Sequence, residues 1–377
     1  MSTIPPITLS YIKEKWSHTG FQKYLKNTGW MFFGQLSMII SLVINIWLAR
    51  YLGPEKFGII SYVFAFVGIF SFISNLGISD ILIRELVKNP QKRDALLGTA
   101  SYLLSIGGIT SFLLCSVSAV LFEASPLTRV LIILYSLTSI LSAANVISSY
   151  FQATVQSKRN AIAQIIITTI ISALKIFFIL TGKGIIWIVF AFTLDYILGI
   201  TIYVLNYLLS GLKISQWTFN KEIAKQFLSA SSYLMLSAVT GYLLLKIDQV
   251  MIKFYLTETS VGLYAVAVKL SEIWYFIPGI ICGSVFPAII NAKKTHEELY
   301  SKRLKKLYIL LASIALLIAI PVAILAPWII KLLYGTAYIA SIPILQIYVW
   351  SGIGFFLSTG INKYFCIFRW CKITIDR

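Results

Sequence analysis

The chain has 377 residues, 58% of them hydrophobic and only 12% charged, with a formal net charge of +18. A soluble protein carries about twice that charged fraction, so a soluble globular enzyme is excluded. The positive charge lies in clusters between long apolar runs, not on a basic surface interleaved with aromatics, which argues against a nucleic-acid partner.

Residues 1–27 form a basic segment with no cleavable signal pattern. Ten apolar segments follow, at 28–50, 57–79, 97–122, 129–151, 160–181, 184–209, 228–254, 261–289, 307–331 and 341–363. Runs of about 20 apolar residues cross the hydrocarbon core, and lipid leaves helices as the form that satisfies the backbone. The expected fold is an all-α polytopic membrane protein of about ten spans, closing on a basic tail, 364–377. Cys115, Cys282, Cys366 and Cys371 are scattered and far from His18 and His296, so neither a metal site nor a disulfide framework is expected.

The loops set an orientation. With the N-terminus cytoplasmic, 23 Lys and Arg fall on the inner side and 6 on the outer, alternating loop by loop. The outer loops are short. The longer inner loops are expected to hold little beyond positive charge.

One corner is written twice. "YLGPEKFG" joins segments one and two; "YLTETSVG", 204 residues later, joins segments seven and eight. Tyr51, Leu52 and Gly58 in the first copy match Tyr255, Leu256 and Gly262 in the second. Six spans separate the copies, so both have the same orientation, as in parallel repeats about an axis along the membrane normal. The expected division is one six-helix lobe over 28–212 and a second over 213–363 with four helices. The glycine is expected to allow a tight helix start, and Tyr-Leu to sit in the interfacial belt.

Ionisable residues inside spans are costly and mark candidate functional sites. Here they are Lys175, Asp195, Lys246, Asp248, Lys269 and Glu272. Lys269 and Glu272 share a helix face, and Asp248 lies level with Lys269 across its hairpin. Subtracting 204 maps Asp248, Lys269 and Glu272 to Ile44, Ala65 and Gly68, so the repeat keeps the corner without the charges. That favours substrate or ion handling over a structural ion pair, with a carboxylate as the place for H⁺ or Na⁺ coupling. In segment one, Gln35, Ser37, Ser41 and Asn45 are expected to make helix–helix hydrogen bonds.

The stretch "NTGWMFFGQLSMIISLVINIWLARYLGPEKFGIISYV", through Ala49, Arg50, Leu52, Gly53, Phe57 and Gly58, resembles the opening of the Wzx-type O-antigen and polysaccharide repeat-unit flippases. "SYFQATVQSKRNAIA" and "KIDQVMIKFYLTETSVGLYAVAVKLSEIW" resemble the same family, the latter at Asp248, Gly262, Tyr264, Lys269 and Glu272. The resemblance covers about residues 25–363. It implies the multidrug/oligosaccharidyl-lipid/polysaccharide exporter superfamily, with two MATE-like lobes around a cavity in a bacterial inner membrane. It implies a lipid-linked oligosaccharide substrate on undecaprenyl diphosphate, turned across the bilayer by alternating access and coupled to an ion gradient. It also implies a place beside membrane lipid, a polysaccharide polymerase and a chain-length regulator, and no cofactor. Lys175, Lys269 and Arg50 are the cations suited to the diphosphate. The family has about twelve spans, so the second lobe is expected to lack its last two helices, with the frame truncated or shifted near Tyr364. The alternatives are a cation-coupled multidrug exporter of the same superfamily, a membrane glycosyltransferase or polymerase, and an inactive remnant.

Overall fold

A computed structural model describes residues 19–282, 285, 289 and 297–360. Among them there is no strand. In chain order the α-helices are α1 (Thr19–Ile69), α2 (Ser71–Asn75), α3 (Ile78–Lys88), α4 (Arg93–Phe122), α5 (Pro126–Leu141) and α6 (Asn145–Ala153). They continue as α7 (Ser157–Leu180), α8 (Ile185–Leu209), α9 (Lys221–Tyr255), α10 (Glu258–Glu272), α11 (Glu297–Leu333) and α12 (Ser341–Tyr348). Eight helical stretches among the described residues are long and apolar enough to cross a membrane, which makes this a multi-pass membrane protein.

Each predicted segment is largely helical over its described residues. The first crossing stretch, Ile39–Ile69, contains most of segments one and two. They meet at a kink where Gly53 leaves helical geometry (φ 72°, ψ 172°) ahead of Pro54. Segment seven is helical within α9 but is not one of the eight; Lys246, Asp248 and Lys253 fall close together in it. The basic tail 364–377 and the basic segment before Thr19 lie outside the described residues.

Two compact units divide the chain. One comprises residues 1–51 and 59–254; the other comprises 52–58 and 255–377. The chain passes between them at 51/52, 58/59 and 254/255, all at the ends of the two repeated corners.

Within the first unit, the unbroken helix expected over 57–79 is interrupted. α1 ends at Ile69, α2 makes little more than a turn, and Leu76 (φ 49°) and Gly77 (φ 63°) are left-handed before α3 begins. Inside a membrane such a break needs protein partners for its freed backbone groups. The Phe70 carbonyl accepts from Ile73 N at 3.0 Å and also from Ser111 Oγ of α4 at 2.9 Å. Segment four breaks similarly at the 3₁₀ turn Ser142–Ala144. Helix α4 lies close to both breaks because it has glycines there. A Cβ on Gly107 would collide with the Ile73 carbonyl, and one on Gly108 with the Ser139 carbonyl.

The loops expected to be cytoplasmic hold more than charge, contrary to expectation. Residues 78–88 are an amphipathic helix. Apolar side chains at i, i+3, i+4 and i+8 form one stripe, and Ile78, Ile81, Leu82 and Leu86 are all buried. They pack in a cluster with Leu97, Leu104, Ile147, Phe151 and Phe227, while Arg84 and Lys88 stay exposed. The linker from 210 to 220 is stitched to the same end of the unit. Trp217 Nε1 donates to the Tyr207 hydroxyl at 3.0 Å, Thr218 N to the Asp94 carbonyl at 3.3 Å, and Asn220 N to Thr99 Oγ1 at 2.9 Å. Asn220 Oδ1 then caps α9, accepting from Glu222 N and Ile223 N.

The second unit has its own core, with Cys282, Leu307, Leu311 and Phe356 buried together. Helix α11 carries Pro327, which cannot donate to the carbonyl four residues back. Gln346 Nε2 takes that role, donating to Ala323 O at 3.2 Å.

Candidate functional site

The repeated corner is a packing device. Gly58 and Gly262 meet in the second unit, where the two corners cross backbone to backbone. A Cβ on Gly58 would coincide with the Glu258 carbonyl, and one on Gly262 with the Pro54 carbonyl. The glycines therefore serve the contact between the copies and not the helix starts, as had been expected. The starts are made differently in each copy. Gly53-Pro54 opens the first; Thr257 Oγ1 caps the second, accepting from Ser260 N at 3.2 Å. The flanking pairs differ too. Leu52 is buried whereas Tyr255 and Leu256 are exposed, and the exposed Tyr51 donates its hydroxyl to the Lys183 carbonyl at 3.0 Å. Phe57, next to Gly58, packs edge-on to Tyr338.

The candidate site is a cavity of about 480 Å³ inside the first unit. Its wall is built mainly by one face of α7: Ser157, Asn160, Ala161, Gln164, Thr168, Ile171, Ser172 and Lys175. Ser37 and Ser41 of α1, Gln152 of α6, and Asp195 and Tyr203 of α8 complete it. The α7 residues recur every three or four positions, which puts them on one side of a helix. From Ser157 to Lys175 the rise is about 27 Å, close to the thickness of the hydrocarbon core. The opposite side of α7 carries Ile162, Ile166, Ile170 and Phe177, all exposed large apolar residues suited to lipid. The helix thus separates a polar lining from an apolar surface.

The charged residues of segments five and six meet here. Lys175 is 4% exposed, and its Nζ stands 3.5 Å from the centroid of the Phe192 ring. A desolvated ammonium gains about 2 kcal/mol from such a ring face. Phe192 is held edge-on to Phe64 at 4.8 Å, and Phe64 packs on Tyr135 at 4.4 Å. Asp195, one helical turn beyond Phe192, is within electrostatic reach of Lys175. It also borders a second cavity of about 260 Å³, which shares Gln164 and Tyr203 with the first. Asn160 Nδ2 donates to the Ser148 carbonyl at 3.0 Å; its Oδ1 is buried and has no hydrogen-bond partner among the described residues. Gln164 Nε2 reaches Thr168 Oγ1 at 3.4 Å.

The other candidates lie elsewhere. Asp248 is half-buried in the first unit, with Oδ1 accepting from Gln249 N at 2.8 Å; Lys246 is half-buried on the same helix. Lys269 and Glu272 are half-buried on α10 in the second unit. Arg50 is exposed and does not line the cavity. At Gly68, the position offset from Glu272, the Tyr242 hydroxyl fills the space a Cβ would need and donates to the Phe64 carbonyl at 3.2 Å. In segment one, Ser37 and Ser41 line the cavity, while Asn45 Nδ2 donates to Ser41 Oγ within the helix. The side chain of Gln35 lies outside the described residues. The polar face of α7, with its partners Gln152 and Tyr203, was not singled out from sequence. Its signal was there in Asn160, Gln164, Thr168, Ser172 and Lys175, spaced by one helical turn.

Solved structures share this fold. An inward-facing multidrug resistance MATE family transporter of the MOP superfamily is 17% identical, with a TM-score of 0.66 over 87% of this chain and 82% of its own. An outward-facing form of such a transporter gives 0.58 at 17% identity, over 90% and 83%. A MOP superfamily transporter from Pyrococcus furiosus Vc1 (DSM3638), described as having a binding pocket of reverse polarity that suggests a different function, gives 0.53 at 15% identity, over 90% and 83%. No curated protein matches the sequence. A family model described as polysaccharide biosynthesis protein matches residues 24–293, well over half of the chain, and the protein belongs to that family.

Proposed function

We propose that this protein is a flippase, not an enzyme, and that it exports a lipid-linked oligosaccharide across a bacterial inner membrane by alternating access. The observation that carries the reading is the cavity beside α7. It places hydroxyl and amide side chains along nearly the full depth of a membrane-spanning helix, with one buried cation, Lys175, and one carboxylate, Asp195. An apolar drug has no use for such a lining, whereas a sugar attached to a phosphate needs both parts of it. Hydroxyls and amides replace water around the sugar, and Lys175 offsets phosphate charge that lipid would otherwise penalise. Membership of a polysaccharide biosynthesis family points the same way. The undecaprenyl-diphosphate carrier, an O-antigen or capsule repeat unit as cargo, and handover to a polymerase and chain-length regulator belong to this proposal. So does coupling to H⁺ or Na⁺ through Asp248, with Lys269 and Glu272 beside the path.

The test is complementation. The chromosomal copy is deleted in a host that makes the lipid-linked repeat unit, and surface polysaccharide is measured with plasmid-borne protein. Wild type restores the polymer. Lys175→Ala, expressed at the same level, loses most of it, and Asp248→Asn and Lys269→Ala separate coupling from substrate binding. A well-expressed wild type that leaves precursor stranded inside the cell would sink the proposal.

A further inference from the structure

We infer that the part of the α7 face around Asn160 and Gln164 is a saccharide subsite that determines which repeat unit is accepted; the inference rests on the flippase reading above. Three observations converge on this stretch of the cavity wall. First, Asn160 Oδ1 is buried and has no hydrogen-bond partner among the described residues, although its amide nitrogen is anchored to Ser148 O at 3.0 Å. A buried acceptor without a donor is costly, and because Asn160 lines the cavity, turning its amide toward a ligand hydroxyl there would remove that cost. Second, Gln164 lies one turn further along the same face and makes only a long 3.4 Å bond to Thr168 Oγ1, which a ligand hydroxyl can replace. It also borders both the 480 Å³ and the 260 Å³ cavities. Third, Tyr203 lines both cavities, as Gln164 does, and offers an aromatic ring to them. Two amides one helical turn apart, each able to donate and accept, plus a ring suited to an apolar sugar face, are chemistry for a polyhydroxylated ring.

The subsite is separate from the cation. Asn160 and Lys175 are 15 positions apart, a rise of about 22 Å along the helix. A phosphate held at Lys175 and a sugar held at Asn160 are thus read by different residues, with room for several sugar units between them. Lys175 recognises what all such substrates share. Asn160 and Gln164 recognise what differs between them. A site built to hydrogen-bond a hydroxyl discriminates strongly against a substrate lacking it, because the site's own polar atoms are then left unpaired.

The experiment uses the full chain in two deletion hosts whose lipid-linked repeat units differ in their sugars, and reads the ratio of surface polysaccharide restored in one host to that in the other. Wild type, Asn160→Ala, Gln164→Ala and the milder Gln164→Asn are compared. Ile166→Ala and Ile170→Ala, on the apolar face of the same helix, serve as controls. The expected result is that the Asn160 and Gln164 variants change the ratio at least about tenfold while the controls leave it as in wild type. Because it is a ratio, lower expression or partial misfolding moves both hosts together and does not imitate the effect. A ratio that stays at the wild-type value, whether rescue falls in both hosts or in neither, overturns the subsite. Failure of wild type to restore polymer in either host overturns the flippase reading itself, and the subsite with it.

Discussion

Gly58→Ala tests whether the repeated corner exists to bring its two copies together. The new methyl would coincide with the Glu258 carbonyl oxygen and lie 2.8 Å from Gly262 N, where ordinary contact begins near 3.4 Å. The corner and α10 would have to part by at least ~0.6 Å at this point, and by more to clear the oxygen. Overpacking typically costs about 1–3 kcal/mol when neighbouring side chains can turn aside. Here the neighbours are backbone atoms, so the expectation is the upper end of that range, about 3 kcal/mol. Gly262→Ala meets Pro54 O in the same way and should cost as much. The double variant is the sharper test. Once one methyl has separated the helices, the second finds room, so the double variant should cost little more than either single one, a coupling of about 2 kcal/mol or more. Gly241→Ala, on α9 with nothing within 4 Å of its Cβ position, is the control, and should be neutral or slightly stabilising as alanine favours helix. Thermal unfolding of purified protein in detergent, followed by size-exclusion fluorescence, reads all four. If Gly58→Ala melts with Gly241→Ala, or if the two corner substitutions add in full, the contact is not what the glycines serve.

Two further outcomes follow from hydrogen bonds. Gln346→Leu should lower stability by about 1–2 kcal/mol in the same melting assay, because it strands the Ala323 carbonyl that Pro327 leaves free; adding Pro327→Ala should recover much of the loss by restoring an N–H to that carbonyl. Asn220→Ala should cost about 1 kcal/mol by removing the cap on Glu222 N and Ile223 N, and Asn220→Ser should retain most of the stability; equal losses in both variants would count against the cap.

The reach of sequence reasoning here depended on the distance between the groups involved. Spans are local, and ten apolar segments are largely helical because hydropathy averages over one stretch of chain. The same averaging conceals a break whose partner comes from far away. Residues 57–79 read as one apolar run, yet at the break the Phe70 carbonyl takes a second donor from Ser111, 41 residues on, and the close approach of that helix needs Gly107 and Gly108. The corner was visible as repeated letters, but the role of Gly58 lay in Gly262, so the local reading assigned the glycine to the wrong task. At the candidate site, charge drew attention to Lys175 and Asp195, since ionised groups in a membrane are expensive wherever they point. The amides and hydroxyls of α7 cost far less per residue and are outnumbered by isoleucines, so no average over the segment reveals them. They become a site when the helix is wound, which puts Asn160, Gln164, Thr168, Ser172 and Lys175 on one side and Ile162, Ile166 and Ile170 on another. A polar stripe along almost the whole of a membrane helix is stable only if something other than lipid faces it, and in this unit that is the cavity.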